Sequence, residues 1–337
     1  MGLQAEFEKF DEKIRLSDSD LEDLRTKRDV LLGKLRDSDD LPVFKEFSQG
    51  SYAMHLGVKP TDDREFDIDV ALRFQVDKEE ADPFEYKQTI YDILKHHTEY
   101  GATIKNPCVT VTYKKDGEAA YHVDLVSYAY DDHLDADGQM YIAKGKTGED
   151  SYWEAADPVK LVDYINDAIE EGEKREQFRR VIRYLKQWKM RKFASDGHGE
   201  PPSIGITLIA ADHFTFHKDN DLQAVIDVSK AIQDMFFTAD NDENGDPVYD
   251  IQLGLPNSLR FEPGNDVFEK MSEHQKTGFK KKVDKLVRDL DAVAKEPDLA
   301  EQCRKLSKIF GNDFSIPSVS ETSKKQVPFI PATSSSG

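Results

Sequence analysis

Residues 49–74, QGSYAMHLGVKPTDDREFDIDVALRF, constrain the fold more than any other stretch of the chain. The run FDIDVALRF reads as a strand. Strand side chains alternate between faces, so Asp67 and Asp69 project together while Ile68 and Val70 take the other side. Two carboxylates held side by side in an apolar strand repel each other and lose hydration unless a cation lies between them. A divalent ion that favours oxygen ligands, Mg²⁺ above all, is the natural occupant, and such ions are commonly shared with substrate phosphates. The only Gly-Ser pair in the sequence, Gly50-Ser51, precedes this strand and can turn backbone N–H groups and a hydroxyl towards those phosphates. An Asp-x-Asp pair alone carries little weight in a chain with 66 acidic residues, most of them solvated. Its position in a strand behind a Gly-Ser corner sets this pair apart.

Composition bounds what such a site can serve. The 337 residues suit one large domain or two moderate ones. A formal net charge of −20 argues against stable binding of DNA or RNA polymers, which rests on a broad basic surface. Small nucleotides gripped by a local basic cluster are compatible with it. Cys108 and Cys303 are far apart and in no metal-binding spacing, which points to a reducing, cytoplasmic setting. The start, MGLQAEFEKFDEK, has no apolar segment of the secretory kind, and Glu6 stands where N-myristoylation expects Ser or Thr. No run of 18 apolar residues is present, so no membrane span is expected.

Periodicity sets the order of elements. Apolar residues at helical spacing over 3–37, broken by the capping cluster Ser17-Asp18-Ser19-Asp20, predict two packing helices. VFKEFSQGS predicts a short strand running into the Gly-Ser corner. A helix over 83–100 follows, and then two alternating strands around a Lys-Asp-Gly turn. Asp124 sits in the second of these strands between Val123 and Leu125. It is either a satisfied buried acid, an edge residue, or a third carboxylate beside Asp67 and Asp69. Residues 131–150 are polar and Gly-rich and read as a loop, with a lobe boundary near their end.

Helices dominate afterwards. DPVKLVDYINDAIEE opens with an Asp cap and a proline at the first helical position. FRRVIRYLKQWKMRKF is amphipathic and strongly basic, either a stripe paired with acidic neighbours or an anion site. PPSIGITLIAADHF reads as a buried helix with Ser203 at the end that favours phosphate. Further helices are expected over 221–237, 266–294 and 299–310, with a turn-rich loop at DNDENGDP. The Ser/Thr/Pro-rich tail from Pro317 reads as disordered. The expected fold class is therefore α+β, a mixed twisted sheet with helices followed by a helical bundle. Its divisions are a catalytic lobe with the N-terminal helices at 1–150, a helical lobe at 151–316 and a tail at 317–337.

Gln49-Gly50-Ser51, then Glu65-Phe66-Asp67-Ile68-Asp69, then Asp124 in a later strand, resembles the polymerase β-like nucleotidyltransferase superfamily. More narrowly the chain looks like the bacterial cGAS/DncV-like nucleotidyltransferases (CD-NTases), which make cyclic oligonucleotide messengers in anti-phage (CBASS) defence. RYLKQWK is similar to the helix whose lysine touches nucleotide phosphates, and PPSIGITL to the next helix, whose serine lies near them. FEPGNDVFEKM and KIFGNDFSIP resemble the segments that follow the nucleotide site and close the helical lobe. The likeness covers about residues 40–316. One departure is the gap of fifteen residues between Ser51 and Asp67, longer than the family's usual spacing. It leaves Glu65-x-Asp67 as a competitor for the metal pair.

The resemblance implies Mg²⁺, or Mn²⁺, between Asp67, Asp69 and Asp124, with two ions serving the reaction. It implies nucleotide binding by Gln49, Gly50, Ser51, Tyr52, Lys186 and Ser203, and ATP or GTP as substrates closed into a cyclic di- or trinucleotide. It also implies an E1/E2-like partner that could conjugate the C-terminal Gly337, beside the plain alternative of an inert tail. Two rival functions stand beside this one: nucleotide addition to an RNA or protein acceptor, and a non-catalytic nucleotide-sensing domain.

Overall fold

Two N-terminal helices form because Ser17 interrupts an otherwise continuous helical pattern. α1 (Leu3–Ile14) ends there and α2 (Asp18–Arg36) starts on a reciprocal cap, in which Ser17 Oγ accepts from Asp20 N–H and Asp20 accepts from Ser17 N–H. The computed structural model describes residues 2–61, 66–115, 118–135, 138–194, 199–256, 259 and 266–317. The Lys-Asp-Gly turn, Glu65, part of FEPGNDVFEKM, and the tail with Gly337 lie wholly or partly outside the described residues.

The first half is a seven-stranded mixed sheet. β1 (Phe44–Ser48) runs antiparallel to β2 (Phe66–Asp77), and β2 pairs in parallel with β5 (Glu118–Tyr130). On the far edge of β5 lie β4 (Val109–Lys115) and β3 (Ala102–Ile104), both antiparallel. α3 (Gly50–Ala53) is the corner after β1, and α4 (Pro83–Leu94) starts at the Asp82 cap and the proline behind it. Leu24, Leu31 and Leu35 of α2 and Ile90 and Leu94 of α4 cover one face of the sheet over Ile68, Val70, Leu72, Val123 and Leu125. This explains why the acidic strand is apolar at every second position.

Two loops expected from composition are partly strands. Within 131–150, β6 (Met140–Lys144) pairs with Tyr128–Tyr130, and β7 (Tyr152–Ala156) adds to its edge, so the sheet runs on to residue 156. The segment MYIAK is too short to show its period among Gly and Asp, but Met140, Ile142 and Ala143 are buried. DNDENGDP is the turn of a small hairpin between β8 (Phe236–Asn241) and β9 (Pro247–Ile251).

The second half is helical: α5 (Pro158–Asp167), α6 (Glu173–Lys192), α7 (Ser203–His213), α8 (Asp221–Asp234), α9 (Glu273–Ala294) and α10 (Leu299–Phe310). α9 begins later than its charge pattern suggests, at a Ser272/Gln275 capping box. α6 is the buried axis, with Tyr184, Leu185 and Trp188 almost wholly enclosed. α1, grouped with the sheet lobe from sequence, packs here instead. Phe7 and Phe10 meet Tyr184 and Phe314 at ring-centroid distances of 5.1–5.4 Å. Arg183 of α6 forks onto Asp11 of α1 at 2.7 and 2.9 Å.

Candidate active site

The parallel register of β2 and β5 sets Asp67 opposite His122 and Asp69 opposite Asp124. Carboxylates at matched positions in neighbouring strands share one face of the sheet. Ligand oxygens of Asp67, Asp69 and Asp124 all lie within 4.8 Å of one another. Asp67 is exposed, while Asp69 and Asp124 are half-buried. Thr110, opposite Asp124 on β4, donates its hydroxyl to Asp124 Oδ1 at 2.6 Å and fixes that carboxylate. The Asp67-Asp69 pair is therefore in place, while the competing Glu65 lies outside the described residues.

Three negative groups this close disturb one another. Asp69 is pushed up to about 7, first by burial and then by Asp67 and Asp124, with Lys186 and Lys105 opposing. The donor set is carboxylate oxygen only, which suits a hard cation such as Mg²⁺ or Mn²⁺ and not a metal that prefers thiolate. A dication fits this cluster because it removes the repulsion that otherwise keeps a proton on Asp69.

The Gly-Ser corner is pressed onto the triad. Gly50 has φ +63°, and a Cβ on it would overlap Asp69 Oδ2, so both backbone shape and space demand glycine. Gln49 N–H donates to the Asp69 carbonyl at 3.3 Å. Its side chain is locked from the other end, where the Tyr128 hydroxyl donates to Gln49 Oε1 at 2.9 Å. Tyr128 lies four residues beyond Asp124, on the same face of β5.

Beside the corner, where the sheet meets the helical half, is a cavity of about 400 Å³. Gln49, Gly50 and Ser51 border it from the corner, Glu154 and Asp157 from the end of the sheet, and Lys186, Ser203 and Thr207 from α6 and α7. Leu161, Val162, Ile204, Leu255 and Leu259 supply apolar walls. Its size and its lining, apolar with a few convergent polar groups, are those of a small-molecule site.

Lys186 joins cavity and triad. Its Nζ donates to the Leu56 carbonyl at 2.9 Å. Burial and the neighbouring Lys189 pull it down to about 8, while Asp67 and Asp69 hold it up. Ser203 is reached by Lys189 Nζ at 2.6 Å, and Lys189 also pairs with Glu200 at 2.6 Å. The rest of the basic stripe is largely structural: Arg179 pairs with Glu176, Arg180 with Asp221, Arg183 with Asp11 and Arg191 with Asp313.

Of the nine residues singled out from sequence, the structure gathers Asp67, Asp69 and Asp124 in one cluster and Gln49, Gly50, Ser51, Lys186 and Ser203 around the adjoining cavity. Tyr52 is turned elsewhere. It borders a separate cavity, and its hydroxyl accepts from Arg25 Nε at 2.7 Å. Thr110 and Tyr128 were missed. Tyr128 shares the strand parity of Asp124 and could have been found that way, whereas Thr110 depends on strand register.

Residues 44–128 match the family model described as the nucleotidyltransferase domain of DncV-like cyclic GMP-AMP synthase. A cyclic GMP-AMP synthase of Escherichia albertii is 27% identical over 199 residues, 57% of this chain and 42% of that protein. The chain thus matches less than half the length of this curated relative. Among solved structures, the GTP complex of the CD-NTase CdnG from Bradyrhizobium diazoefficiens superposes with TM-score 0.72 at 13% identity, over 93% of this chain and 96% of that one. Vibrio cholerae DncV bound to 3′-deoxy ATP superposes with TM-score 0.69 at 17% identity, over 90% and 92%. Both likenesses establish a shared fold, the mixed sheet with its helical partner.

Proposed function

We propose, for a chain that belongs with the bacterial cGAS/DncV-like nucleotidyltransferases, that it joins nucleoside triphosphates into a cyclic oligonucleotide with release of pyrophosphate. The observation that carries this is the meeting of three carboxylates from two strands, within 4.8 Å, against a glycine corner that opens into a nucleotide-sized cavity. Substrates are purine nucleotides, ATP or GTP, and the product serves as a messenger in anti-phage defence.

Asp67, Asp69 and Asp124 would hold Mg²⁺ or Mn²⁺. The cation supplies Lewis-acid stabilisation of phosphate charge and a more acidic ribose hydroxyl. Gly50 lets the backbone approach a triphosphate closely, and the hydroxyls of Ser51 and Ser203 donate to its oxygens. The Lys186 ammonium neutralises charge from the helical side. The cavity walls at Leu161, Val162, Ile204 and Leu255 receive the base and keep water from the reacting phosphorus. A ribose hydroxyl of the acceptor nucleotide forms the new O–P bond in line with the breaking bond to pyrophosphate, and a second transfer closes the ring.

The test is incubation of the protein with Mg²⁺ and the four nucleoside triphosphates, followed by mass spectrometry of phosphatase-resistant products. A cyclic product from the wild type, absent from Asp67→Asn/Asp69→Asn, supports the proposal. Nucleotides transferred only to an RNA or protein acceptor, or equal product from both proteins, overturn it.

A further inference from the structure

Lys87, near the start of α4, is wholly enclosed by the protein. A lysine is almost never buried so completely unless a carboxylate pairs with it. Among the described residues none does. Three backbone carbonyls take the three donors of its ammonium instead: Lys105 at 3.4 Å, Asn106 at 2.8 Å and Gly145. Burial pulls the group down to about 8, while the Cys108 thiol holds it up and the Lys144 ammonium opposes it, so it is still charged at neutral pH. A charge enclosed on carbonyls alone is an expensive way to fill a core, where an apolar side chain of the same length would cost less. What the ammonium holds accounts for its presence.

It holds two turns, and both lead to the candidate active site. The first is the turn between β3 and β4. Thr103 pairs with Thr110 and Ile104 with Val109, and the ladder runs on through Lys105 N–H, which donates to the Cys108 carbonyl at 2.8 Å. Lys105 and Cys108 therefore share the face of Thr110 and Asp124. Cys108 Sγ lies 3.6 Å from Thr110 Oγ1, and Thr110 holds Asp124. Lys105 is exposed, and its charge is felt at Asp69 and at the Cys108 thiol. The second turn joins β6 to β7. Gly145 has φ +105° there, and a Cβ on it would overlap the Asp150 carbonyl. β7 then supplies Glu154, Ala155 and Ala156 to the wall of the nucleotide-sized cavity. The two turns also meet directly, where Gly145 N–H donates to Asn106 Oδ1 at 2.7 Å.

We propose that Lys87 is a positioning residue for the acidic cluster: by binding the carbonyls of both turns it fixes β4, and through Thr110 the Asp124 carboxylate, against the end of the sheet that walls the cavity. It touches neither substrate nor cation. It acts from α4, on the opposite face of the sheet from the three carboxylates, through the backbone of residues 105–110. The effect on cation binding and turnover rests on the proposed function; the coupling of the two turns does not. Outer partners that orient carboxylate ligands set cation affinity in this way.

The experiment compares full-length wild type with Lys87→Met, which keeps the length of the side chain and removes the ammonium. Amide hydrogen exchange over residues 105–112 and 144–151 should be at least about tenfold faster in the variant, with exchange over α6 and α8 unchanged. Mn²⁺ affinity, read from the electron paramagnetic resonance signal of the free ion, should fall at least about tenfold. The kcat for pyrophosphate release should fall with it, while nucleotide KM changes little. Lys87→Arg, which keeps charge and donors, should recover part of each loss. Asn106→Ala cuts the bond between the turns and leaves the ammonium in place, so it should give the same pattern in milder form and decides the matter should Lys87→Met fail to fold. Ile90→Ala is the control for a merely structural role: it opens the core under the same helix and should lower Tm without changing Mn²⁺ affinity. The proposal is overturned if both turns exchange as in wild type in Lys87→Met and Asn106→Ala, if these variants bind Mn²⁺ as tightly as wild type, or if Ile90→Ala weakens Mn²⁺ binding as much. A wild type that binds no Mn²⁺ counts against the catalytic proposal, and the exchange comparison then decides for or against Lys87.

Discussion

Gly50 and Asp69 are one unit at the scale of single residues. The glycine has a positive φ and no room for a methyl group, because the carboxylate that would meet the cation occupies that space. Gly50→Ala should therefore lose at least about a hundredfold in kcat through displacement of Asp69, with a smaller change in nucleotide KM. Asp69 also links pH to cation binding. Its carboxyl is raised from 3.8 to about 7 in the folded chain, so the folded state holds the proton more tightly than the unfolded state. Without metal this group costs stability progressively between about pH 4 and pH 7, and the full cost remains above that. A dication at the triad relieves it. The rise in Tm on adding Mg²⁺ should be larger at pH 8 than at pH 5.5, and Asp69→Asn should flatten that difference. Parity within one strand was enough to pair Asp67 with Asp69 from sequence. The Thr110–Asp124 bond was hidden, because register between β4 and β5 cannot be read from either strand alone.

At the scale of elements, α6 separates structural from functional charge. A stripe of arginines and lysines looks uniform in sequence, and only packing sorts it. Arg180 and Arg183 are held by Asp221 and Asp11, contributed by a later helix and an earlier one, while Lys186 lies against the triad and the cavity. Lys186 sits near 8 in the ligand-free protein, below its ordinary value, so its ammonium is lost as pH rises through that point. Nucleotide KM should increase above about pH 8, and Lys186→Ala should show a raised KM that no longer changes over this range. A pH–KM profile of the two proteins checks it. The strands β6 and β8 escaped notice for a different reason: each is short and set among turn residues, and pairing with a neighbour, not its own period, makes it a strand.

At the scale of the whole molecule, the helical half that walls one side of the cavity is closed from both ends of the chain. α1 begins the sequence yet fills the helical core, and Phe314, beyond the last helix, packs on Phe7 and Phe10. Such closure joins residues more than 300 positions apart, which no local pattern announces. The Arg183–Asp11 pair lies inside this closure, with both side chains under a tenth exposed. Arg183→Ala strands the Asp11 carboxylate and should cost about 3–5 kcal/mol, measurable by urea unfolding, whereas a surface pair such as Lys285–Asp289 should cost under about 1 kcal/mol. The architecture as a class was legible, since apolar alternation and helical spacing survive in the sequence. Its seams were not.

The central claim is that Asp67, Asp69 and Asp124 act together on a nucleotide's phosphates through a divalent cation. Pyrophosphate release from ATP and GTP with Mg²⁺, compared between the wild type and Asp124→Asn, tests it most directly. Asp124 comes from a different strand and owes its place to the fold alone. The account predicts Mg²⁺-dependent release from the wild type that falls at least about a hundredfold in the variant, with the folded structure retained. Release from Asp124→Asn at the wild-type rate, or release that persists in EDTA, would contradict it.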